Sequence, residues 1–151
     1  TKVQGGSSHN VMPACVKLTG TVRTFDPAVQ DRIEADLRAL VAGMATAVRC
    51  EATVEYTRYY PATVNHADCA AHALAVATEL FGSALKLDTP AFTSKDFAFM
   101  LQRVPGAYIW LGQGRGPGTP SLHHPSYDFN DDVLSTGAAL LAGLVERRLL
   151  A

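Results

Sequence analysis

Asp26-Pro27 and the residues behind it constrain this chain most. Val29, Ile33, Leu37, Leu40 and Met44 recur at helical spacing, so one face is apolar as far as about Val48. Asp26 suits the N-cap. Pro27 suits the first helical position, where its missing N–H would have gone unbonded anyway. The flanking segments alternate instead. Residues 15–24 set Val16, Leu18 and Val22 against Lys17, Thr19, Thr21 and Arg23, and residues 51–57 set Ala52, Val54 and Tyr56 against Glu51, Thr53, Glu55 and Thr57. Such alternation predicts half-buried strands. The first sixty residues therefore read strand, helix, strand.

Pro61 and Asn65 mark a boundary. Asn65 suits the N-cap of an Ala-rich helix over about 66–81, with Asp68 in its first turn and Gly82 at its end. A short strand is expected around 85–87. Ser94 can cap a helix through about Arg103, which Pro105-Gly106 stops. Ala107 to Leu111 is an apolar run that predicts a buried strand, followed by a Gly- and Pro-rich loop over 112–121. A last helix starts near Asn130, with Leu134, Ala138, Leu141, Val145 and Leu149 as its inner stripe. The expectation is a mixed α/β chain in two units, 1–62 and 63–151.

Composition narrows the function classes. Of the 151 residues, 48% are hydrophobic and 18% charged, which is globular rather than disordered. A net charge of -1 without clustered Lys and Arg excludes a nucleic-acid footprint. No apolar run is long enough to span a membrane. Cys15, Cys50 and Cys69 are widely spaced and odd in number, as expected of free thiols in a reducing cytoplasm. The N-terminal residues show no initiator Met, signal core or basic leader, so the chain is expected to derive from a longer one.

Few residues point to chemistry by themselves. His123-His124 ends the Gly/Pro loop, a common way to present a metal ligand. A zinc site needs three or four ligands, and no His-x-x-Glu-His or His-x-Asp pattern supplies the others. On composition alone two surface histidines are the simpler reading. Gly112–Gly118 lacks the Gly-Lys-Ser/Thr ending of a phosphate loop, so a conformational role fits it better. Arg23 could grip a carboxylate in bidentate fashion beside the amide of Asn10. Without further context, a solvated Arg and a turn Asn explain both. His9, His66 and His72 have no partner motif.

The ordered series of short motifs adds more. Gly6, Asn10, Val11 and Pro13 form Gly-x-x-x-Asn-Val-x-Pro, and Gly20-Thr21-Val22-Arg23-Thr24-Phe25 follows. Then come Ser94-x-Asp96-Phe97, Val104-Pro105-Gly106-Ala107, Leu111-Gly112, Leu122-His123-His124-Pro125 and Tyr127-Asp128-Phe129-Asn130-Asp131. Across nearly the whole chain this series resembles the hippurate hydrolases and related N-acyl-amino-acid amidohydrolases of the zinc aminoacylase–carboxypeptidase superfamily. The resemblance implies a partial, ferredoxin-like lid domain at 1–62, which usually mediates homodimerisation, and the C-terminal part of an α/β metallohydrolase catalytic domain at 63–151. It implies two divalent metals (zinc, manganese or cobalt) that hold a bridging water and polarise the scissile carbonyl, with a glutamate as general base. It places a metal ligand at His123, and matches Asn10 and Arg23 to lid positions that hold the substrate carboxylate.

The chain departs from that family in three ways. The metal-binding motif, the Glu-Glu pair with the base and the remaining His ligand all belong upstream of the matched region. The first lid strand and helix are missing as well. Ser94-Lys95-Asp96 stands where the family usually has Ser-Glu-Asp, a charge reversal unless Lys95 faces solvent. The expectation is therefore a chain that neither binds catalytic metal tightly nor hydrolyses amides on its own. Two readings compete: a piece of an intact N-acyl amino acid hydrolase, which the retention of His123 favours, and a stand-alone, non-enzymatic module for oligomerisation or small-molecule binding. On the first reading, half a lid leaves apolar strand edges uncovered, which would invite an oligomer or strand-exchanged dimer.

Overall fold

The computed structural model describes residues 1–150, and they fall into two compact units. The first comprises Thr1–Ala62 with Ala91–Ser94, and the second Thr63–Pro90 with Lys95 onward.

In the first unit, β1 (Lys2–Gln4) pairs antiparallel with β2 (Lys17–Thr19), with Val3 opposite Leu18. The alternation over 15–24 thus yields three paired residues, and Val3, Val16 and Leu18 are exposed rather than half-buried. Helix α1 runs Pro27–Val48 as its sequence predicts. The Asp26 carboxylate accepts from the Ala28 N–H, and Arg49 closes the helix in the left-handed region. None of its side chains is buried, and Val29, Leu40, Met44 and Val48 stay exposed.

Residues 51–57 are not a paired strand. Side chains hold this segment in place of a ladder. Arg38 bonds the Val54 carbonyl at 2.9 Å and the Glu34 carboxylate at 2.8 Å, while Arg58 reaches both Glu34 and Asp31. The hydrogen bonds from Arg38, then those from Arg58, hold the Glu34 carboxyl below its ordinary value.

In the second unit, α2 (Ala67–Phe81) ends on left-handed Gly82, and α4 (Leu134–Leu149) packs against it. A single 3₁₀ turn, Asp131–Val133, leads into α4, with the Asn130 side chain accepting from the Asp132 N–H. Leu140 and Gly143 are the buried positions of α4. A Cβ on Gly143 would lie 2.7 Å from Leu80 Cδ1 and 3.4 Å from Val76 Cγ1, so this glycine lets the two helices approach. Arg147 clamps the pair through Glu79 at 2.8 Å, and its hydrogen bonds lower the Glu79 carboxyl below its ordinary value.

The expected inner stripe of α4 is not the packed one. Leu134, Leu141, Val145 and Leu149 are exposed, because α2 takes the face that carries Leu140 and Gly143. The helix expected over 94–103 shrinks to α3, Phe97–Leu101, without a side-chain cap from Ser94. The short strand around 85–87 does not form among the described residues, and Leu85 is exposed. The core consists of Ala73, Val76, Ala98, Leu101 and Leu140, all in the second unit. No helix among the described residues is long and apolar enough to cross a membrane.

Asn65 does not cap α2; its N-cap is His66, which makes no side-chain cap bond. The Asn65 amide is spent on Tyr108 instead. It donates to the Tyr108 carbonyl at 3.0 Å and accepts from the Tyr108 N–H at 2.7 Å. His66 does the same for Gly106: its backbone N–H donates to the Gly106 carbonyl at 3.0 Å, and its Nδ1 accepts from the Gly106 N–H at 3.2 Å. This clamp fixes the segment that runs into the Gly/Pro loop.

Candidate functional site

The loop over 112–121 has no regular structure, yet its start is anchored. The Gln113 side-chain oxygen accepts from the Asn130 N–H at 3.0 Å. Arg115 donates to the Phe129 carbonyl at 2.8 Å and to the Asp128 carboxylate at 3.3 Å. All three bonds tie the loop to Asp128-Phe129-Asn130, just ahead of α4. Gln113 and Arg115 carry no signal in sequence beyond lying among glycines. Their partners are thirteen or more residues away and adjoin only in the fold.

His123 and His124 differ sharply. The His124 N–H donates to the Ser121 carbonyl at 3.1 Å, its carbonyl accepts from the Tyr127 N–H at 2.9 Å, and its Nδ1 accepts from the Ser126 N–H at 3.1 Å. His124 thus holds the turn. His123 is exposed, with φ 72° and no hydrogen-bond partner among the described residues. Left-handed backbone at a non-glycine residue costs roughly 1–2 kcal/mol. A residue kept there is a reason to ask what its side chain does.

Asn10 and Arg23 lie in the first unit and His123 in the second. Asn10 sits in an exposed turn, where its side-chain oxygen accepts from Ser8 Oγ at 2.6 Å. Arg23 lies four residues past β2, outside any strand, and makes no ion pair among the described residues. The alternation that put it on a strand's polar face does not hold there, but its guanidinium is free for an anion.

Lys95 does not point freely to solvent. It is half-buried, with its ammonium 5.8 Å from the centre of the Trp110 ring. Trp110 also meets Tyr108 edge-on at 5.9 Å, and Tyr108 meets Phe97 at 5.7 Å. The Lys95 charge is thus held against an aromatic cluster, an arrangement worth about 0.5–1 kcal/mol at an exposed site.

A metal centre needs more donors than this. Among the described residues no three His, Cys, Asp or Glu side chains come together. The side chains of the described residues do not by themselves fit a dinuclear centre, where each metal needs about four ligands. An open apolar concavity of about 540 Å³ lies elsewhere, lined by Phe97, Met100, Leu101, Val104 and neighbours, and contains none of Asn10, Arg23 or His123.

Comparison with known proteins settles the family. Residues 4–147 match Peptidase family M20/M25/M40. The chain belongs to this family. Among its M20 relatives is an N-acetyldiaminopimelate deacetylase of Bacillus licheniformis, 29% identical over 139 residues, which span 92% of this chain and 36% of the deacetylase. Among solved structures it is similar to the Bacillus subtilis YXEP protein, a dinuclear metal-binding peptidase of the M20 family. There the TM-score is 0.75 at 28% identity, over 95% of this chain and 39% of that one. The M20 chain described here therefore spans well under half the length of these relatives. Its relatives are metal-dependent hydrolases, deacetylase and peptidase, and its α/β elements follow an M20 structure closely.

Proposed function

We propose that this chain is the C-terminal part of a metal-dependent amidohydrolase that cleaves the amide bond of N-acyl amino acids, hippurate-like compounds included. In this reading residues 1–62 are part of a lid and 63–151 part of a catalytic domain. His123 supplies one ligand to a centre of two divalent ions (zinc, manganese or cobalt), and the other ligands and the glutamate base come from polypeptide outside this chain. Such a centre supplies an activated water and polarises the acyl carbonyl. Arg23 and Asn10 grip the carboxylate of the amino acid. Arg23 suits this role because its fork of N–H donors is uncommitted and a carboxylate takes two of them at once. The working protein is a cytoplasmic homodimer through the lid, to which the exposed apolar stripe of α1 is suited.

One observation carries the reading: the match to a family of metal-dependent hydrolases spans 4–147, nearly the whole chain. The test is hydrolysis by the M20-length protein that contains this chain, read as free amino acid released from N-acetyl and N-benzoyl amino acids. His123→Gly is expected to lower kcat by more than about 100-fold, beyond what loss of an outer-shell metal partner costs. Arg23→Lys is expected to raise KM about tenfold or more while sparing kcat, as loss of a charged hydrogen bond to bound substrate does. Failure to release product from any N-acyl amino acid would overturn the proposal.

A further inference from the structure

Gln113 and Asn130 bring together the two ends of residues 114–129, which makes this segment an Ω-loop. Three bonds close its base. The part-buried Gln113 oxygen accepts from the Asn130 N–H at 3.0 Å, and Arg115 donates to the Phe129 carbonyl at 2.8 Å and to the Asp128 carboxylate at 3.3 Å. Asn130 is also the cap of the 3₁₀ turn that enters α4, and α4 packs on α2. The base is therefore seated on the packed helices of the second unit. The Asp128 ion pair is long and exposed, so it adds little. The closure rests on the two bonds to backbone groups, from Gln113 and from the charged Arg115.

Little else holds the loop. A Cβ on Gly114, Gly116 or Gly118 would meet nothing within 4 Å, so no neighbour packs against the backbone there. Gly116 and Gly118 sit at φ 112° and 86°, and glycine loses the most freedom on ordering. Pro117, Pro120 and Pro125 fix φ at single positions but cannot bring the ends together. The bonds inside the loop span short turns: Thr119 to the Gly116 carbonyl, the His124 N–H to Ser121 and the Tyr127 N–H to His124. Among the described residues no hydrogen bond joins 116–127 to the rest of the second unit. Ordering a loop of this length has an entropic cost that its base bonds must offset. His123 is the third residue of the Ser121–His124 turn, and its φ of 72° belongs where glycine or asparagine is usual. A histidine relaxes from that conformation unless its surroundings hold it.

We propose that Gln113 and Arg115 are positioning residues for His123. By closing the base of the loop they keep its turns formed, and the turns keep the His123 imidazole outward and unpartnered before any ligand arrives. What His123 then does rests on the hydrolytic reading above. The closure itself does not, and it is measured without metal or substrate.

The test is NMR on the full chain and on two variants. Gln113→Leu with Arg115→Met removes both bonds to backbone at similar side-chain size, whereas Gln113→Glu keeps an acceptor for the Asn130 N–H. Two signals report on the loop: the strong contact between the His123 amide proton and its own Hα that a positive φ gives, and amide exchange at Thr119, His124 and Tyr127. The Leu140 amide, in the packed part of α4, is the reference for an intact fold. In the double variant the His123 contact is expected to weaken and the three amides to exchange roughly tenfold faster or more, with Leu140 unchanged. Gln113→Glu is expected to behave as the parent chain. In the M20-length protein the double variant is expected to lower kcat roughly tenfold or more while sparing KM, as a misplaced reacting group does. Unchanged His123 and turn signals in the double variant would overturn the proposal, since the turns would then hold His123 unaided. Equal loss in Gln113→Glu would overturn it as well. Because the NMR needs no turnover, failure of the hydrolytic reading and failure of this proposal register separately.

Discussion

Glu34 shows how single side chains do work here that a ladder does elsewhere. Two arginines from different segments converge on its carboxylate and hold residues 54–58 beside α1. Its carboxyl is lowered by the bonds from Arg38 and Arg58, so the folded state favours the ionised form. Because the folded value lies below the unfolded one, the stabilisation is present at neutral pH and is lost as pH falls through the lowered value. A ¹³C titration should find Glu34 ionising below an ordinary glutamate. Glu34→Gln should loosen residues 54–58 and remove that part of the acid dependence, seen as faster exchange of the segment's amides. At His123, Gly is the cleaner probe than Ala, because it accepts φ 72° without the left-handed penalty. Loss of function in His123→Gly with the melting temperature unchanged would assign the effect to the imidazole.

At the scale of elements, α2 and α4 form a well-packed helix pair, and Gly143 is its contact point. Gly143→Leu should force these helices apart and cost about 1–3 kcal/mol by overpacking, measured by urea unfolding. Asn65→Ala should strand the Tyr108 N–H and cost a similar amount, with the 106–111 clamp opening first. The helices α1 and α2 were legible in sequence because local chemistry decides them: Asp26-Pro27 starts one and Gly82 ends the other. The inner face of α4 was not legible. Leu134, Leu141 and Val145 have the right spacing for burial, but the face that α2 covers is the one with small residues at its contact point. The strands at 15–24 and 51–57 show the same limit, since alternation specifies a face to be buried but cannot supply the neighbour that buries it. The family motifs were legible as an ordered series, whereas the roles of Gln113, Arg115 and Asn65 depend on partners distant in sequence.

For the whole molecule, the large accessible surface sets the behaviour. Among the described residues only Ala73, Val76, Ala98, Leu101 and Leu140 form a core, and the first unit buries no side chain. The m-value of urea unfolding scales with the surface that unfolding exposes. It should fall well below that of an ordinary domain of 151 residues. An m-value normal for that length would show that far more surface is covered in solution. Exposed apolar stripes on α1 and α4 also predict concentration-dependent self-association, which light scattering would register and a clean monomer at high concentration would refute.

The proposed function turns on His123 being one ligand of a metal centre completed by donors from the M20-length protein. Calorimetric titration of zinc and manganese tests it directly, on the chain alone, on the M20-length protein and on its His123→Gly variant. The expected result is no stoichiometric sub-micromolar site in the chain alone, tight binding in the M20-length protein, and a marked weakening in the variant. Tight stoichiometric binding by the chain alone, or binding indifferent to His123→Gly, would contradict it.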